Sequence, residues 1–278
     1  MVGNARTLVL GATGRIGGLL RREQGAGPPM RWQTRSAPPA PGWVRADPLD
    51  AASVARAAEG CGTILCLAGV TPARAARGGD LGANAALALA AGHAAAAVGA
   101  RVLLVSSASV YGNRSGLLDE ATPLAPVSPY GIAKQAMEAR ARNIAAVRGV
   151  ALCSLRIGNV AGADATLGGW QPGFALDRFP NGCTPRRSYI GPVTLARVLR
   201  ALSGAQNLPA VLNIAAPGSV EMGALLDQAG LGWQPRPAPQ DAIARVELAT
   251  ARLARLVDLP PAAGQAATLV AEWQGGAP

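Results

Sequence analysis

Short apolar runs alternate along the first half of the chain with segments whose apolar positions recur at helical spacing. Arg6-Thr7-Leu8-Val9-Leu10 has the length of a strand. After a glycine-rich turn, Ile16, Leu19 and Leu20 begin a helical pattern that ends near Gly25. Further strands are predicted over Met30–Thr34, Trp43–Asp47, Thr63–Leu67 and Arg101–Val105, with helices over Asp50–Ala58 and the alanine-rich stretch Asp80–Val98. Apolar strands separated by helices give a parallel sheet covered on both faces. Ala37–Gly42, with three prolines, is a loop, as is Asn113–Pro129. The latter closes on Ser128-Pro129, an N-cap and first-turn proline for a helix that carries Tyr130. Beyond Gly162 glycine and proline interrupt the pattern, and Leu167–Gly173 and Phe179–Pro185 read as loops facing a ligand. Helices are predicted over Pro192–Ser203, from a serine cap at Ser219-Val220-Glu221, and over Asp241–Leu256, where Ile243, Val246, Leu253 and Leu256 share a side. Gln234–Pro239 reads as a proline linker, and the last four residues as a frayed end. No internal repeat is visible.

The turn after the first strand reads Gly11-Ala12-Thr13-Gly14-Arg15-Ile16-Gly17. Strand, glycine turn and helix in this order form a dinucleotide-binding loop. Gly11 permits the tight turn, Gly14 lets backbone approach a pyrophosphate, and Gly17 lets helix pack on strand, with the first N–H groups of the helix facing the phosphates. An enzyme selective for NAD commonly carries an acid near the end of the second strand. Here that position holds Arg35, which together with Arg15 favours the 2′-phosphate of NADP, with NAD as the alternative. Asp47 is placed to reach the adenine amino group, and Leu67, Ala68 and Gly69 would let the cofactor lie close against the backbone. Ligands of open parallel sheets bind beyond the carboxyl ends of strands, so the hydroxyls of Ser106 to Ser109 fall where chemistry takes place.

Composition sharpens one site. The chain of 278 residues has 26 basic residues, of which Lys134 is the only lysine. A sequence that uses arginine everywhere else keeps a lysine where a compact ammonium on a thin stem is needed. Tyr130 lies four residues before it and therefore on the same helix face, where a neighbouring cation lowers a phenol's pKa towards that of a usable acid/base. The formal charge of +10 is spread along the chain, with 4% aromatic residues, which argues against a nucleic-acid partner. His93 is the only histidine, so a histidine-based triad or metal cluster is excluded, and it is expected on a helix surface. Cys61, Cys66, Cys153 and Cys183 lack metal-type spacing and read as free thiols, three of them in or beside apolar strands. Met1 to Gly11 contains no leader pattern and no window is apolar enough to cross a membrane, so a cytoplasmic protein is expected.

These motifs resemble the extended short-chain dehydrogenase/reductase family, also called the NAD-dependent epimerase/dehydratase family. The likeness rests on Gly11 to Gly17, Asp47, Leu67-Ala68, Asn84, Ser106 to Gly112, Tyr130 to Lys134, Leu155 to Gly162, Arg187 to Val193 and Val211 to Ala215. It implies a Rossmann-type doubly wound α/β fold, with a dinucleotide-binding domain over residues 1–162 that regains chain near 187–215. A smaller substrate-binding unit would fill most of 163–278. It implies that Tyr130 exchanges a proton with the substrate oxygen, that Ser107 hydrogen-bonds the same atom, and that Lys134 binds the nicotinamide ribose. Asn84 and Tyr130 join Lys134 in the cofactor set, while Ser109, Asn159 and the anion-gripping Arg187 face substrate. A homodimer is the family's common assembly. Two departures bear on function. Dehydratases carry Asp-Glu directly after the catalytic hydroxyl, where this chain has Ala108-Ser109. The family's usual His and Asp in the substrate segment are replaced by Gly191 and Thr194.

The expected activity is an NADP-preferring oxidoreductase acting on a carbonyl or secondary alcohol. A nucleotide-sugar 4-epimerase is the alternative. A non-catalytic NADP-sensing or RNA-associated scaffold is opposed by the intact Ser107, Tyr130 and Lys134.

Overall fold

The computed structural model describes residues 6–23 and 25–275. The start of the Met1 to Gly11 stretch and the last three of the four residues expected to fray lie outside them. The main sheet is built from β1 (Arg6–Leu10), β2 (Met30–Thr34), β3 (Trp43–Arg45), β4 (Cys61–Cys66), β5 (Arg101–Ser107), β6 (Leu152–Ile157) and β7 (Val211–Ile214). Its seven strands lie in the order β7-β6-β5-β4-β1-β2-β3, all parallel. The order reverses direction between β1 and β4, and the crevice at that switch point is where such sheets take their ligands.

Alternation along the strands divides the core in two. Leu8, Leu10, Ile64, Val102 and Leu104 face α2 (Ala51–Ala58), α4 (Ala83–Val98) and α5 (Pro129–Arg148), packing on Val54, Ala88, Ala91 and Met137. Val9, Leu65, Leu103 and Leu155 point the other way, onto Leu20 of α1 (Arg15–Arg22) and Leu195, Val198, Leu199 and Leu202 of α6 (Pro192–Gly204). The alanines let α4 sit close to α5. A Cβ on Gly92 would come within 2.8 Å of Ile144 Cγ2, so this crossing needs a residue without a side chain. His93 is half-buried on α4. Cys61, Cys66 and Cys153 are buried in β4 and β6 as free thiols, with Cys183 half-buried.

The second half departs from its predicted elements. Asp241–Leu256 is not one helix: Arg245–Leu248 is a strand and only Ala251–Ala254 is helical (α8). Val246 and Leu248, two residues apart, share one face of a strand, while Val246 also fits the helical set with Ile243, Leu253 and Leu256, and pairing decides. The strand is parallel both to Arg186–Arg187 and to Gly116–Leu118, which lies inside the predicted Asn113–Pro129 loop. The Ser219 cap is also absent. Val220–Glu221 is a strand, α7 (Met222–Gln228) starts from Glu221, and the Ser219 hydroxyl donates to Glu247 Oε2 at 2.6 Å. The proline linker is a strand, Gln234–Pro237, aligned with Ala175–Arg178. Its prolines fit because no second strand follows it in that two-stranded sheet. The chain closes with α9 (Ala266–Gly275).

Candidate active site

The glycine turn is shaped by contacts that leave no room for side chains. Gly11 has φ of +81°, and a Cβ there would lie 2.7 Å from Ala68 N; one on Gly17 would lie 2.5 Å from Ala12 O. The turn is pinned from below by Gln33, whose Oε1 accepts from Gly11 N at 3.0 Å while its Nε2 donates to Ala46 O at 2.8 Å. Sequence reading passed over this buried glutamine, although a polar residue in an apolar strand is the signal for such a brace. Gly14 caps α1 without a side-chain hydrogen bond, so the leading N–H groups at Arg15 and Ile16 lack an intrahelical acceptor. Thr13, Gly14 and Arg15 are exposed at this mouth, and Ile16 is half-buried. A tight glycine turn with unused N–H groups fits a dinucleotide diphosphate.

The remaining cofactor candidates are distributed around the same end of the sheet. Arg35 follows β2, exposed and without a partner among the described residues. Asp47 is exposed beyond β3, and its Oδ1 accepts from Leu49 N at 3.0 Å. Leu67, Ala68 and Gly69 continue β4, half-buried. Asn84 is 1% exposed, with Oδ1 accepting from Val70 N and Nδ2 donating to Val70 O, both at 3.1 Å. It clamps the loop after β4. A Cβ on Gly69 would lie 2.7 Å from Asn84 Oδ1 and 3.5 Å from Lys134 Nζ, which puts this loop against the lysine.

At the end of β5 the chain enters a short 3-10 turn, Ala108–Tyr111. The Ser107 hydroxyl accepts from Ser109 N at 3.2 Å and from Ser109 Oγ at 3.0 Å. With its acceptor side used, Ser107 keeps its own proton for an oxygen in the crevice. Helix α5 arrives with Ser128 Oγ accepting from Gly131 N at 3.0 Å and Pro129 in the first turn. Gly131 lets it come close, since a Cβ there would lie 2.6 Å from Ser109 O. Tyr130 and Ser107 are thereby brought together, and their hydroxyls interact. Lys134, buried, donates to Val105 O at 2.9 Å and sits 5.8 Å from the Tyr130 ring centroid.

Electrostatics correct one expectation. Burial pushes the Tyr130 phenol above its ordinary value, with the Ser107 hydrogen bond opposing it, and Lys134 is not among the groups that act on it. The strain falls on the lysine instead. Burial holds its ammonium down to about 8, against the charges of Cys66 and Glu138.

Asn159 and Arg187 lie on short strands. Asn159–Val160 runs parallel to Tyr189–Ile190, and Asn159 N donates to Ser188 O at 3.0 Å. Arg187 Nη1 donates to Arg186 O at 2.8 Å; burial lowers its pKa, and the groups that counter this are Tyr189 and Asp177 rather than Tyr130. The loop after Gly162 is tied back by Tyr189, whose hydroxyl reaches Asp164 Oδ2 at 2.8 Å and Thr166 Oγ1 at 3.1 Å. Among the described residues no cluster of three His, Cys, Asp or Glu could hold a metal ion, and no helix is long and apolar enough to cross a membrane.

Residues 7–174, more than half of the chain, match the profile of the NAD dependent epimerase/dehydratase family. The chain belongs to this family, and it is an enzyme of it. No curated protein matches by sequence. Solved structures of the same fold include a UDP-galactose 4-epimerase (20% identity, TM-score 0.72, covering 98% of this chain and 99% of that one). The dTDP-glucose 4,6-dehydratase DesIV from Streptomyces venezuelae, solved with NAD bound, matches at 21% identity and TM-score 0.71, covering 97% of each chain. The UDP-Glc/GlcNAc 4-epimerase from Campylobacter jejuni aligns at 17% identity and TM-score 0.77 over 99% of this chain and 100% of its own.

Within this epimerase/dehydratase chain, two supports were not foreseen. At Gly191 and Thr194, the carboxylate of Glu272 from α9 takes hydrogen bonds from Thr194 N at 2.8 Å and from Thr194 Oγ1. A Cβ on Gly191 would lie 2.1 Å from Glu272 Oε2. A negative charge therefore caps α6 from about eighty residues away (|i−j| = 78). The second is a buried network behind Tyr130. Arg156 makes an ion pair with Glu138 at 2.8 Å and donates to the Tyr111 hydroxyl at 3.1 Å, while Tyr111 donates to Asn213 Oδ1 at 2.7 Å. It ties α5 to β6, β7 and the serine turn.

Proposed function

We propose that this enzyme carries out hydride-transfer chemistry at a secondary alcohol or carbonyl carbon, with NADP as the favoured cofactor and NAD as the alternative. The observation that carries the reading is the convergence of Ser107, Tyr130 and Lys134 on the crevice bordered by the glycine turn. A nicotinamide bound there would supply or accept the hydride. Ser107, its acceptor side occupied by Ser109, donates to the substrate oxygen and fixes it. Tyr130 passes a proton to that oxygen or takes one from it. Its raised pKa keeps the phenol protonated in the resting site, ready for the reductive direction. Lys134 directs one proton to Val105 O and a second to Met137 Sδ, which leaves one for a ribose hydroxyl. Arg187 supports a substrate bearing an anionic group, with Asn159 and Ser109 beside it. Exposed, unpartnered Arg35 and the lack of an acid after β2 support NADP.

Tyr130→Phe is expected to lower kcat by about 10² to 10⁴-fold on a substrate found by thermal-shift screening with saturating NADPH, with dinucleotide affinity unchanged. Full turnover by the variant would remove Tyr130 from proton transfer.

A second reading is a nucleotide-sugar 4-epimerase, favoured by the near-complete overlap with 4-epimerases. The two differ in redox balance. A reductase consumes NADPH in proportion to product, whereas an epimerase interconverts sugars with no net change in dinucleotide.

A further inference from the structure

A cavity of about 550 Å³ opens beside the glycine turn, lined by Arg15 together with Thr71, Ala73, Arg74, Arg77, Gly78 and Gly79. Arg15 begins α1. The others belong to the crossover from β4 to α4, which contains the one-turn helix α3 (Pro72–Ala75). None of the three guanidinium groups has a partner among the described residues, and all three residues are exposed. The acid of this loop, Asp80, is turned to its own backbone, Oδ1 accepting from Gly82 N at 2.8 Å.

The crossover is built to hold its arginines in place. Asn84 pins Val70 at one end, and Thr71 Oγ1 accepts from Arg74 N at 3.4 Å to start the turn. Arg77 N and Gly79 N both donate to Arg74 O, at 3.1 and 3.0 Å. Gly79 has no room for a side chain, as a Cβ would lie 2.9 Å from that same carbonyl. The backbone at Arg74 and Arg77 is thus held in a tight turn, and both residues line the same cavity. Arg15 adds a third positive charge from a separate element. Arg35 does not line this cavity, so the two arginines first grouped for the 2′-phosphate are divided between two places.

We propose that Arg15, Arg74 and Arg77 form a clamp for a diphosphate, lying over the phosphate turn from its solvent side. The clamp rests on the dinucleotide-binding reading of this crevice and deepens it. It supplies an affinity common to NADH and NADPH, while Arg35 supplies the discrimination between them. Three forked donors match the oxygens of a diphosphate, and their screening by salt gives the interaction its signature.

The test is calorimetric titration of NADH, NADPH and inorganic pyrophosphate into wild type, Arg74→Gln/Arg77→Gln and Arg35→Gln, at low and raised salt. Thermal unfolding would establish that these exposed substitutions leave the fold intact. The double variant is expected to bind both dinucleotides more weakly by the same factor, roughly tenfold or more. It should also lose pyrophosphate binding and show a flatter salt dependence. Arg35→Gln should weaken NADPH alone. Wild-type dinucleotide binding with an unchanged double variant overturns the clamp. A double variant that loses only NADPH overturns the diphosphate and puts a 2′-phosphate in the cavity. Wild type that binds neither dinucleotide overturns the cofactor reading itself, and the clamp's occupant with it.

Discussion

Lys134 carries the pH dependence of the site. Its folded-state pKa is about 8, against an ordinary 10.5, because burial penalises the ammonium. Between those two values the unfolded chain binds one more proton than the folded one, so stability rises with pH across the window, by roughly 3 kcal/mol for this group. Below about pH 8 both states are charged, and the cost of burying the ammonium is present in full. Activity should run the opposite way under the proposed function, because the ammonium offered to the ribose loses its charge. Turnover is therefore expected to fall above about pH 8 while the urea midpoint climbs, and Lys134→Met should remove the climb. Parallel decline of activity and stability in wild type would contradict this assignment. That Lys134 lies beside Tyr130 was legible in sequence from the four-residue spacing of the two. The direction of charge perturbation was not, because helical spacing says nothing of how deeply a side chain is buried. Gln33 and Gly131 were missed for a related reason: each matters through a contact with a residue distant in sequence.

At the level of elements, most strands and helices of the first half could be read from the chain because they are long enough to show a period, whereas Gly116–Leu118 and the one-turn α3 are too short. The two-residue strands at Asn159, Arg186, Tyr189 and Val220 have no period to show. Arg245–Leu248 was hidden by an accident of spacing, since Val246 also fits a helical set with Ile243, Leu253 and Leu256. Its state is set by neighbours far away in sequence. The cap on α6 is the same kind of feature. A helix that begins Gly191-Pro192 shows no local capping side chain, and its acid arrives from α9. Replacing Glu272 with Gln is expected to cost about 1 to 2 kcal/mol, read as a lowered urea midpoint at constant m-value. Thr194→Ala in the same background should add little, since both changes remove the same contact. Independent, additive losses would show that Glu272 and Thr194 do not act through one shared contact.

Over the whole molecule, one sheet draws on both halves of the chain. β7, at residues 211–214, pairs with β6, so the seven-stranded sheet is finished by residues that follow the loops beyond Gly162. Charge is distributed at the same scale, with arginine supplying every cation in the sequence but one. This has a practical consequence for labelling. The chain has a single ε-amine, it is buried, and its lowered pKa leaves a larger share of it nucleophilic at pH 8 than an ordinary lysine would have. An acylating reagent aimed at amines therefore has one side-chain target besides an α-amine, and that side chain is Lys134. Peptide mass mapping after brief acylation is expected to find modified Lys134 in the free enzyme and an unmodified residue when dinucleotide is present. Equal labelling in both would mean that the bound dinucleotide leaves this amine accessible. An ordinary protein reagent would then serve as an occupancy gauge for the site.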